Sequence, residues 1–253
     1  MRKQGSETYR KFARYYDVYA GGFDADLPLY LSLCEPSDRI LEVGCGTGRV
    51  LKALLHAGYH VAGIDTSPEM LRIAEDKLAN YLSRGKLKLY CGSLGDVAFD
   101  VSFDRILVTW FTFNYLFEDR ERRAFLNRAL STLGPNGLIA MDLFFPLPLL
   151  RPETENQWGE ESFELEGRTV LLRQKRKMIG DVEERIQIYT EEGTTEEIPT
   201  RRRFATREQA VALLEDAGFT GVRIANGYDL SSWHVPGRTE GNKGTFVVTG
   251  RKL

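Results

Sequence analysis

The stretch ILEVGCGTGRV, residues 40–50, decides the fold of this chain. Its first residues are apolar apart from Glu42, and glycines follow at the alternate positions Gly44, Gly46 and Gly48. A buried strand, a tight glycine turn and a helix in this order predict a ligand-binding loop at the carboxyl end of the first strand of an α/β sheet. Glycine allows positive φ angles and lets the backbone approach a ligand closely.

The neighbours of this loop indicate which ligand it holds. The spacing GxGxG differs from the dinucleotide fingerprint GxGxxG. The charge of Glu42 would repel a pyrophosphate, but it suits an ammonium group. Asp65 ends the next apolar run, roughly 20 residues beyond the first glycine, where a carboxylate binds a ribose diol. A ribose that carries an amino acid and no phosphate describes S-adenosylmethionine.

The order of patterns along the chain predicts its architecture. Apolar runs alternate with helical patterns as far as residue 145, which is typical of a doubly wound parallel sheet. Residues 162–204 then alternate β-branched and charged residues around Gly180-Asp181, which predicts an antiparallel hairpin. We expect a single domain over 1–253, made of an N-terminal helical cover (1–36), a cofactor-binding half (37–150), an antiparallel β insertion or lid (151–204) and a final helix with strands (205–253).

ILEVGCGTG and VAGIDTSPEML together resemble the cofactor-binding half of a class I SAM-dependent methyltransferase. The resemblance continues through FDRILVTWFTFNYL, LGPNGLIAMDLF and GTFVVTGRK, so it covers nearly the whole chain. It implies an α/β, Rossmann-like fold with a seven-stranded, mostly parallel sheet whose last strand is antiparallel. The insertion and the opening FARYYDVYA are similar to the small-molecule branch, which includes nucleotide-sugar N-methyltransferases and glycine or sarcosine methyltransferases.

The resemblance also implies a set of site residues. The glycine loop would lie against the methionine part of the cofactor, Asp65 would bind the ribose hydroxyls, and Thr66 and Met70 would lie beside the adenine. After the third strand the family usually has an adenine-binding acid, where this chain has Ser93, with Asp96 a short step further on. The expected cofactor-binding residues are Tyr16, Glu42, Gly44, Cys45, Gly46, Gly48, Asp65, Thr66, Met70, Gly92, Ser93, Leu94 and Trp110. The expected acceptor-binding residues are Phe113, Asn114, Tyr115 and Tyr228.

We expect transfer of a methyl group from S-adenosylmethionine to nitrogen or oxygen of a small molecule, with S-adenosylhomocysteine as the product. A base is needed only if the acceptor arrives protonated. Tyr16 and His234 are the candidates for that base. Tyr15 and Tyr19 are alternatives to Tyr16 as the tyrosine that points towards the cofactor.

Composition and charge narrow the class of protein. A net charge of -2 gives no general attraction to nucleic acid or to an anionic membrane. Three scattered cysteines form no metal-binding pattern, so we expect no metal and a reducing, cytoplasmic environment, with Cys34 and Cys91 in the core. No apolar segment is long enough to predict a transmembrane helix, and none reads as a secretory signal. Monomer and homodimer both stay open.

Alternative functions stay open as well. The basic runs at 173–177 and 201–203 would favour methylation of tRNA if they converged on one face, although acidic runs lie nearby. A non-catalytic protein that still binds S-adenosylmethionine is a further alternative, because Ser93 departs from the family pattern. An NAD-dependent oxidoreductase is disfavoured by Glu42 and by the glycine spacing.

Overall fold

The computed structural model describes residues 12–18, 20, 22–146, 156–235 and 244–253. The main sheet contains β1 (Arg39–Val43), β2 (His60–Asp65), β3 (Leu87–Cys91), β4 (Phe103–Val108), β5 (Leu133–Phe145), β10 (Thr220–Asn226) and β11 (Gly244–Arg251). A second sheet contains β6 (Gly159–Leu165), β7 (Arg168–Ile179), β8 (Val182–Glu191) and β9 (Thr194–Arg203). The α-helices are an N-terminal segment over 12–18, α1 (Leu27–Ser32), α2 (Arg49–His56), α3 (Pro68–Ser83), α4 (Asp119–Thr132) and α5 (Arg207–Asp216).

The main sheet has the strand order β10-β11-β5-β4-β1-β2-β3. β11 runs antiparallel to both of its neighbours, and β5, β4, β1, β2 and β3 pair in parallel. Helices cover both faces and bury two apolar clusters, one on each side of the sheet. The doubly wound, seven-stranded sheet predicted from the sequence is therefore confirmed.

Residues at the amino ends of α2 and α3 fix where these two helices begin beside the glycine loop. Gly48, with φ +86°, directly precedes α2, so the chain turns out of the loop straight into a helix. Ser67 caps α3, because its side chain accepts a hydrogen bond from Met70 N at 3.3 Å, and Pro68 occupies the first turn. Both helix starts lie at the carboxyl edge of the main sheet, where the predicted ligand site lies.

The antiparallel insertion predicted from the sequence is present, but it is larger than the single hairpin expected. It is a four-stranded meander whose strands are joined by two-residue turns at 166–167, 180–181 and 192–193. Glu166 and Glu192 adopt φ +52° and +46° in two of these turns, each followed by a glycine. Glutamate is not a typical residue for such a conformation, so the sequence did not reveal these turns.

One end of the insertion packs against the N-terminal helical segment. Tyr15 and Tyr189 stack with their ring centroids 4.2 Å apart and their planes 6° apart. Val170, Leu172 and Met70 of α3 lie in the same buried cluster. The second sheet is thus held against the main body by a continuous apolar seam rather than by its connections alone.

One prediction about a detail of the main sheet was wrong. Cys91 is exposed rather than in the core, because it ends β3, the edge strand of the sheet. β5 begins at Leu133, so the Gly134-Pro135 stretch already belongs to the strand. No helix within the described ranges has the length and apolar character that crossing a membrane requires.

Candidate active site

The backbone of the glycine loop is fixed by its neighbour β2. The amides of Gly44 and Cys45 both donate to the carbonyl of Ile64, at 2.8 and 3.1 Å. The Gly46 amide donates to Oδ2 of Asp65 at 2.8 Å. The loop and the acid expected to bind the ribose are therefore one hydrogen-bonded unit.

Two of the loop glycines are required by close packing. A Cβ on Gly44, which has φ +74°, would overlap the side chain of Thr112. A Cβ on Gly48 would lie 2.8 Å from Cδ1 of Leu78 in α3. Gly48 therefore allows the helix to approach the loop, which is the role that the third glycine has in dinucleotide-binding folds.

Glu42 is a buried carboxylate with unused hydrogen-bonding capacity. Its side chain is 2% exposed, and Oε1 accepts a hydrogen bond from Oγ1 of Thr109 at 2.7 Å. Oε2 is also buried and accepts none from the described part of the chain. Burial raises the pKa of Glu42 to about 8, against the opposing effects of Thr109 and Arg49. A cationic hydrogen-bond donor placed against Oε2 would stabilise the ionised form.

The N-terminal helical segment covers the loop. Thr47 donates to Oδ1 of Asp17 at 2.6 Å, and the ring of Tyr16 lies 3.6 Å from the position of a Cβ on Gly46. Burial raises the pKa of Tyr16 well above its ordinary value. The phenol therefore keeps its proton at neutral pH, so it fits a hydrogen-bond donor better than the base that the sequence suggested. The alternative Tyr19 lies outside the described residues.

Arg49 joins the loop to the segment before α1, a contact that sequence reasoning missed. Its guanidinium forms two hydrogen bonds with the fully buried Asp26, at 2.7 and 2.5 Å. The same guanidinium lies 5.0 Å from the ring centroid of Trp110 and 5.7 Å from that of Phe23. A bidentate arginine–carboxylate pair fixes direction as well as distance. The only sequence signal was an arginine that directly follows the third glycine.

Asp65 links the glycine loop, the start of α3 and the end of β3 by hydrogen bonds. Its Oδ1 accepts from Ser67 N at 2.9 Å, while Oδ2 accepts from Gly46 N. The Gly92 amide donates to its backbone carbonyl at 2.9 Å. Burial raises the pKa of this half-buried carboxyl, and the amide hydrogen bonds lower it. A carboxylate has about four lone-pair sites, so ribose hydroxyls can bind beside the two amides.

The predicted adenine region contains an acid after all. Ser93, exposed at the end of β3, donates to Oδ2 of Asp96 at 2.6 Å. Thr66 is exposed, whereas Leu94 and Met70 are buried at 2% exposure each. The structure thus places Met70 in the apolar seam and brings the Asp96 carboxylate within hydrogen-bonding distance of Ser93.

The turn after β4 has a strained backbone that a second buried acid supports. Trp110 and Phe111 have φ +56° and +61°, which is rare for aromatic residues. Oδ1 of Asp142 accepts from Phe111 N at 3.0 Å, and Oδ2 accepts from the hydroxyl of Tyr228 at 2.6 Å. Burial raises the pKa of Asp142 to about 6. Asp142 was not among the predicted site residues, although it is the one acid in an otherwise apolar run.

The predicted acceptor residues after this turn point in different directions. Phe113 is 1% exposed and lies in the main core. Asn114 is fully buried, and its Nδ2 donates to the carbonyl of Phe144 at 3.4 Å. Tyr115 is 39% exposed. Tyr228 lies beside Trp110, since both rings contact Phe23.

A cavity of about 660 Å³ opens between this turn and the second sheet. We call it the basic cavity, because its lining residues include four cations. They are Phe111, Phe144, Gln157, Trp158, Gly159, Gln174, Lys175, Arg176, Arg185, Arg202 and Thr245. Its volume lies within the range of small-molecule sites.

Comparison with known proteins identifies the family of this site. The family model for a methyltransferase domain matches residues 40–137. This chain carries a methyltransferase domain. Over these residues the match agrees with the methyltransferase resemblance of the glycine loop.

The methyltransferase domain has relatives in sequence and in structure. A putative methyltransferase of Geobacillus sp. (strain WCH70) is 29% identical over 145 residues, which are 54% of this chain and 57% of that protein. This chain therefore spans little more than half the length of that curated relative. A SAM-dependent methyltransferase of Clostridium acetobutylicum has a TM-score of 0.74 at 17% identity, with 96% of this chain and 98% of that chain covered. SAM-bound CalS10 of Micromonospora echinaspora, an amino pentose methyltransferase, has a TM-score of 0.65 at 23% identity, with 93% and 95% covered. At these identities the two structures show the shared fold.

His234 lies far from the glycine loop of the methyltransferase domain. Backbone pairs lead from His234 through Ile224, Val248, Met141 and Val108 to Val43 at the start of the loop. Five inter-strand spacings of about 4.8 Å amount to roughly 24 Å. His234 is therefore remote from the glycine loop, and its role as a base stays a prediction.

Proposed function

We propose that this protein transfers a methyl group from S-adenosylmethionine to nitrogen or oxygen of a small molecule. The observation that carries the proposal is the buried Oε2 of Glu42, which lies next to the glycine loop and accepts no hydrogen bond from the described residues. An amino-acid ammonium is the cation that a ribose-bearing ligand of this loop would offer. The SAM-bound neighbour CalS10 supports the same cofactor.

The residues present fit this cofactor along its length. Glu42 would hold the ammonium, Asp65 the ribose hydroxyls, and Ser93 with Asp96 the adenine amine. Cys45 and Gly46 would contribute the loop backbone against the methionine part. When bound, S-adenosylmethionine supplies an electrophilic methyl group on a sulfonium. The work of the protein is then to align the two reactants and to exclude water.

The turn after β4 has the chemistry of an acceptor site. Trp110 and Phe111 present aromatic surface to the edge where the parallel strands end, and such walls exclude water. Tyr228 donates its proton to Asp142, so its phenol oxygen is left to accept a hydrogen bond from an amine or hydroxyl. We infer that this pair orients the acceptor, and that Asp142 is a positioning residue rather than the base itself.

Methylation of tRNA has less support. Three cations of the basic runs form ion pairs with acids on the same surface. These ion pairs are Arg173–Glu160, Arg201–Glu184 and Arg203–Asp119, at 2.8, 3.3 and 2.6 Å. Phosphate contacts along RNA require cations that are available on one outer face.

Binding of the cofactor is the first test. We expect S-adenosylmethionine and S-adenosylhomocysteine to raise the melting temperature, with no shift from NAD. A ligand at 100 times its Kd adds about 2.7 kcal/mol to the free energy of unfolding. Asp65→Ala should abolish the shift, whereas Asp76→Ala on the exposed surface of α3 is the matched control and should keep it. A protein that neither adenosyl ligand stabilises would refute the proposal.

Transfer is tested separately with S-adenosylmethionine that carries a labelled methyl group and a panel of amines and alcohols. We expect labelled product with at least one small acceptor and none with bulk tRNA. Cofactor binding without labelled product from any acceptor would instead favour the non-catalytic alternative.

A further inference from the structure

The basic cavity has a charge opposite to that of the whole chain. The protein has a net charge of -2, yet Lys175, Arg176, Arg185 and Arg202 all line this one cavity. No acidic residue is among the described residues that line it. A recess lined by one sign of charge raises the local concentration of a small ligand with the opposite sign.

Two of the cations face each other across neighbouring strands. Arg176 of β7 is the direct partner of Arg185 in β8, and like charges directly opposite each other destabilise a sheet. The guanidinium of Arg185 donates to Oε1 of Gln174, with an Nε–Oε1 distance of 3.1 Å. Gln174 is oriented in turn, because its Nε2 donates to Glu161 at 3.2 Å. The sheet therefore keeps a repulsive pair in a fixed direction.

The side chains of Arg202 and Lys175, the other two cations, are also held in place by neighbouring groups. Arg202 donates from Nε and Nη2 to Oε2 of Glu183, at 2.9 and 2.5 Å, and Glu183 is 1% exposed. Nζ of Lys175 lies 4.9 Å from the ring centroid of Trp158. Positioned donors lose less conformational freedom on binding than free surface side chains do.

The outer face of the same sheet is built differently. There, Arg173 pairs with Glu160, and Arg201 pairs with Glu184. Successive residues of a strand point to opposite faces, so Lys177 and Arg201, which neighbour Arg176 and Arg202, lie on the other face of the sheet. Lys175 lies on that face too and contributes to the cavity at its rim, beside Trp158. On the cavity side, Arg202 is paired with Glu183, and Arg176 lies opposite Arg185.

We propose that the basic cavity binds an anionic group, a phosphate or a carboxylate, carried by the small molecule that this protein methylates. The inference rests on the proposed function and names the class of its acceptor. Planar guanidinium groups bind the oxygens of such anions in pairs. Phe111 connects the cavity to the turn after β4, since its ring lies 5.8 Å from Phe144 on one side and 5.9 Å from Trp110 on the other. The anion would anchor one end of the acceptor while the reacting atom lies at the turn.

The test measures binding of inorganic pyrophosphate and of succinate by calorimetry at constant ionic strength. We expect at least one of the two anions to bind the wild-type protein, and the double variant R176Q/R185Q to bind it at least tenfold more weakly. Lys177→Gln removes one charge from the same strand on the opposite face, and it should bind like wild type. The ratio of pyrophosphate to succinate affinity distinguishes a phosphate from a carboxylate.

S-adenosylhomocysteine binding, measured on the same samples, separates this inference from the proposed function and reports whether the variants are folded. We expect wild-type affinity for it in R176Q/R185Q. If this ligand binds and neither anion distinguishes wild type from R176Q/R185Q, the anion site is wrong while the cofactor proposal stands. If the anions bind as expected and S-adenosylhomocysteine does not, the cavity binds anions but the proposed function fails. Loss of binding to bulk tRNA, rather than to the small anions, in R176Q/R185Q would overturn the inference in favour of an RNA surface.

Discussion

The glycine loop and the second sheet form their sites by different means. The loop is fixed by backbone hydrogen bonds to β2 and by glycines that permit close packing. The second sheet is held by an apolar seam at one end and carries cations from two neighbouring strands and β9 at the other. In the loop, residues adjacent in the chain form the site, whereas in the cavity residues that are far apart in the chain do so.

This difference predicts how each region responds to substitution. A change in the loop acts on backbone geometry, so it should alter folding and cofactor binding together. A change in the second sheet acts through side chains on one face or the other, so neighbouring residues should have very different effects. Four substitutions test this contrast.

Gly44→Ala should have the largest effect. The new Cβ would overlap the side chain of Thr112 at a residue with φ +74°, and we expect a loss of about 3 kcal/mol or more in the free energy of unfolding. Binding of S-adenosylhomocysteine should weaken at least tenfold. Gly58→Ala is the matched control, because Gly58 also has positive φ, +96°, but a Cβ there has open space. It should lose about 1–2 kcal/mol from strain alone. Equal losses in urea unfolding would show that packing on Thr112 is unimportant.

Leu172→Ala tests the seam of the second sheet. Leu172 is 1% exposed among the residues that hold the sheet against the N-terminal helical segment, and we expect a loss of about 2–5 kcal/mol. Leu171→Ala removes the same atoms from the next residue, which is 37% exposed on the other face. In urea unfolding, this control should lose less than about 0.5 kcal/mol of the free energy of unfolding. Similar losses for both would contradict the orientation of β7.

Glu42→Gln should stabilise the free protein at high pH and weaken cofactor binding. The pKa of Glu42 is raised to about 8 from its ordinary 4.5, so the folded state retains a proton that the unfolded chain has released. The free energy of unfolding therefore falls as pH rises between these two values, by up to about 1.4 kcal/mol per pH unit. Glutamine does not titrate, so the variant lacks this pH dependence of the free energy of unfolding. Its side-chain oxygen can still accept the hydrogen bond from Thr109.

Urea unfolding from pH 5 to pH 9 checks this prediction, together with titration of S-adenosylhomocysteine at pH 8. We expect the free energy of unfolding of the variant to exceed that of wild type by an amount that grows with pH. Its affinity for S-adenosylhomocysteine should fall at least tenfold, because the ammonium of the ligand loses its carboxylate partner. Glu75→Gln, an exposed position of α3, controls for the loss of a carboxylate and should leave affinity unchanged. A variant that binds S-adenosylhomocysteine as tightly as wild type would remove Glu42 from the site.

Tyr228→Phe should have the smallest effect on stability. It removes the hydrogen bond to Asp142 but leaves the one from Phe111 N, and we expect a loss of about 1 kcal/mol in urea unfolding. If Tyr228 orients the acceptor, KM and kcat for methyl transfer should change while the affinity for S-adenosylhomocysteine does not. Tyr81→Phe, which removes a tyrosine hydroxyl from α3 beside His56, is the control. A loss of cofactor affinity in Tyr228→Phe would place this residue on the cofactor side.

The sequence predicted the parts of the site that are local in the chain. The glycine spacing, the acid before it and Asp65 lie on consecutive elements of a βαβ unit, whose geometry is nearly constant. Asp142 and the Asp26–Arg49 pair were missed because nothing in their local pattern shows what they face. The distance of His234 from the loop was not readable from the sequence for the same reason, since it depends on strand order.

The sequence by itself predicted the main sheet and the loop, because hydrophobic periodicity and glycine spacing report on local backbone geometry, and the resemblance of its motifs indicated the family. It also indicated an antiparallel insertion, but neither its four strands nor the side that its cations face. Those were decided by the tertiary structure, since cross-strand register sets which of the basic residues at 173–177 and 201–203 point inward. Alternation along a strand defines two faces, and only the apolar seam with the N-terminal helical segment determines which of them faces the site.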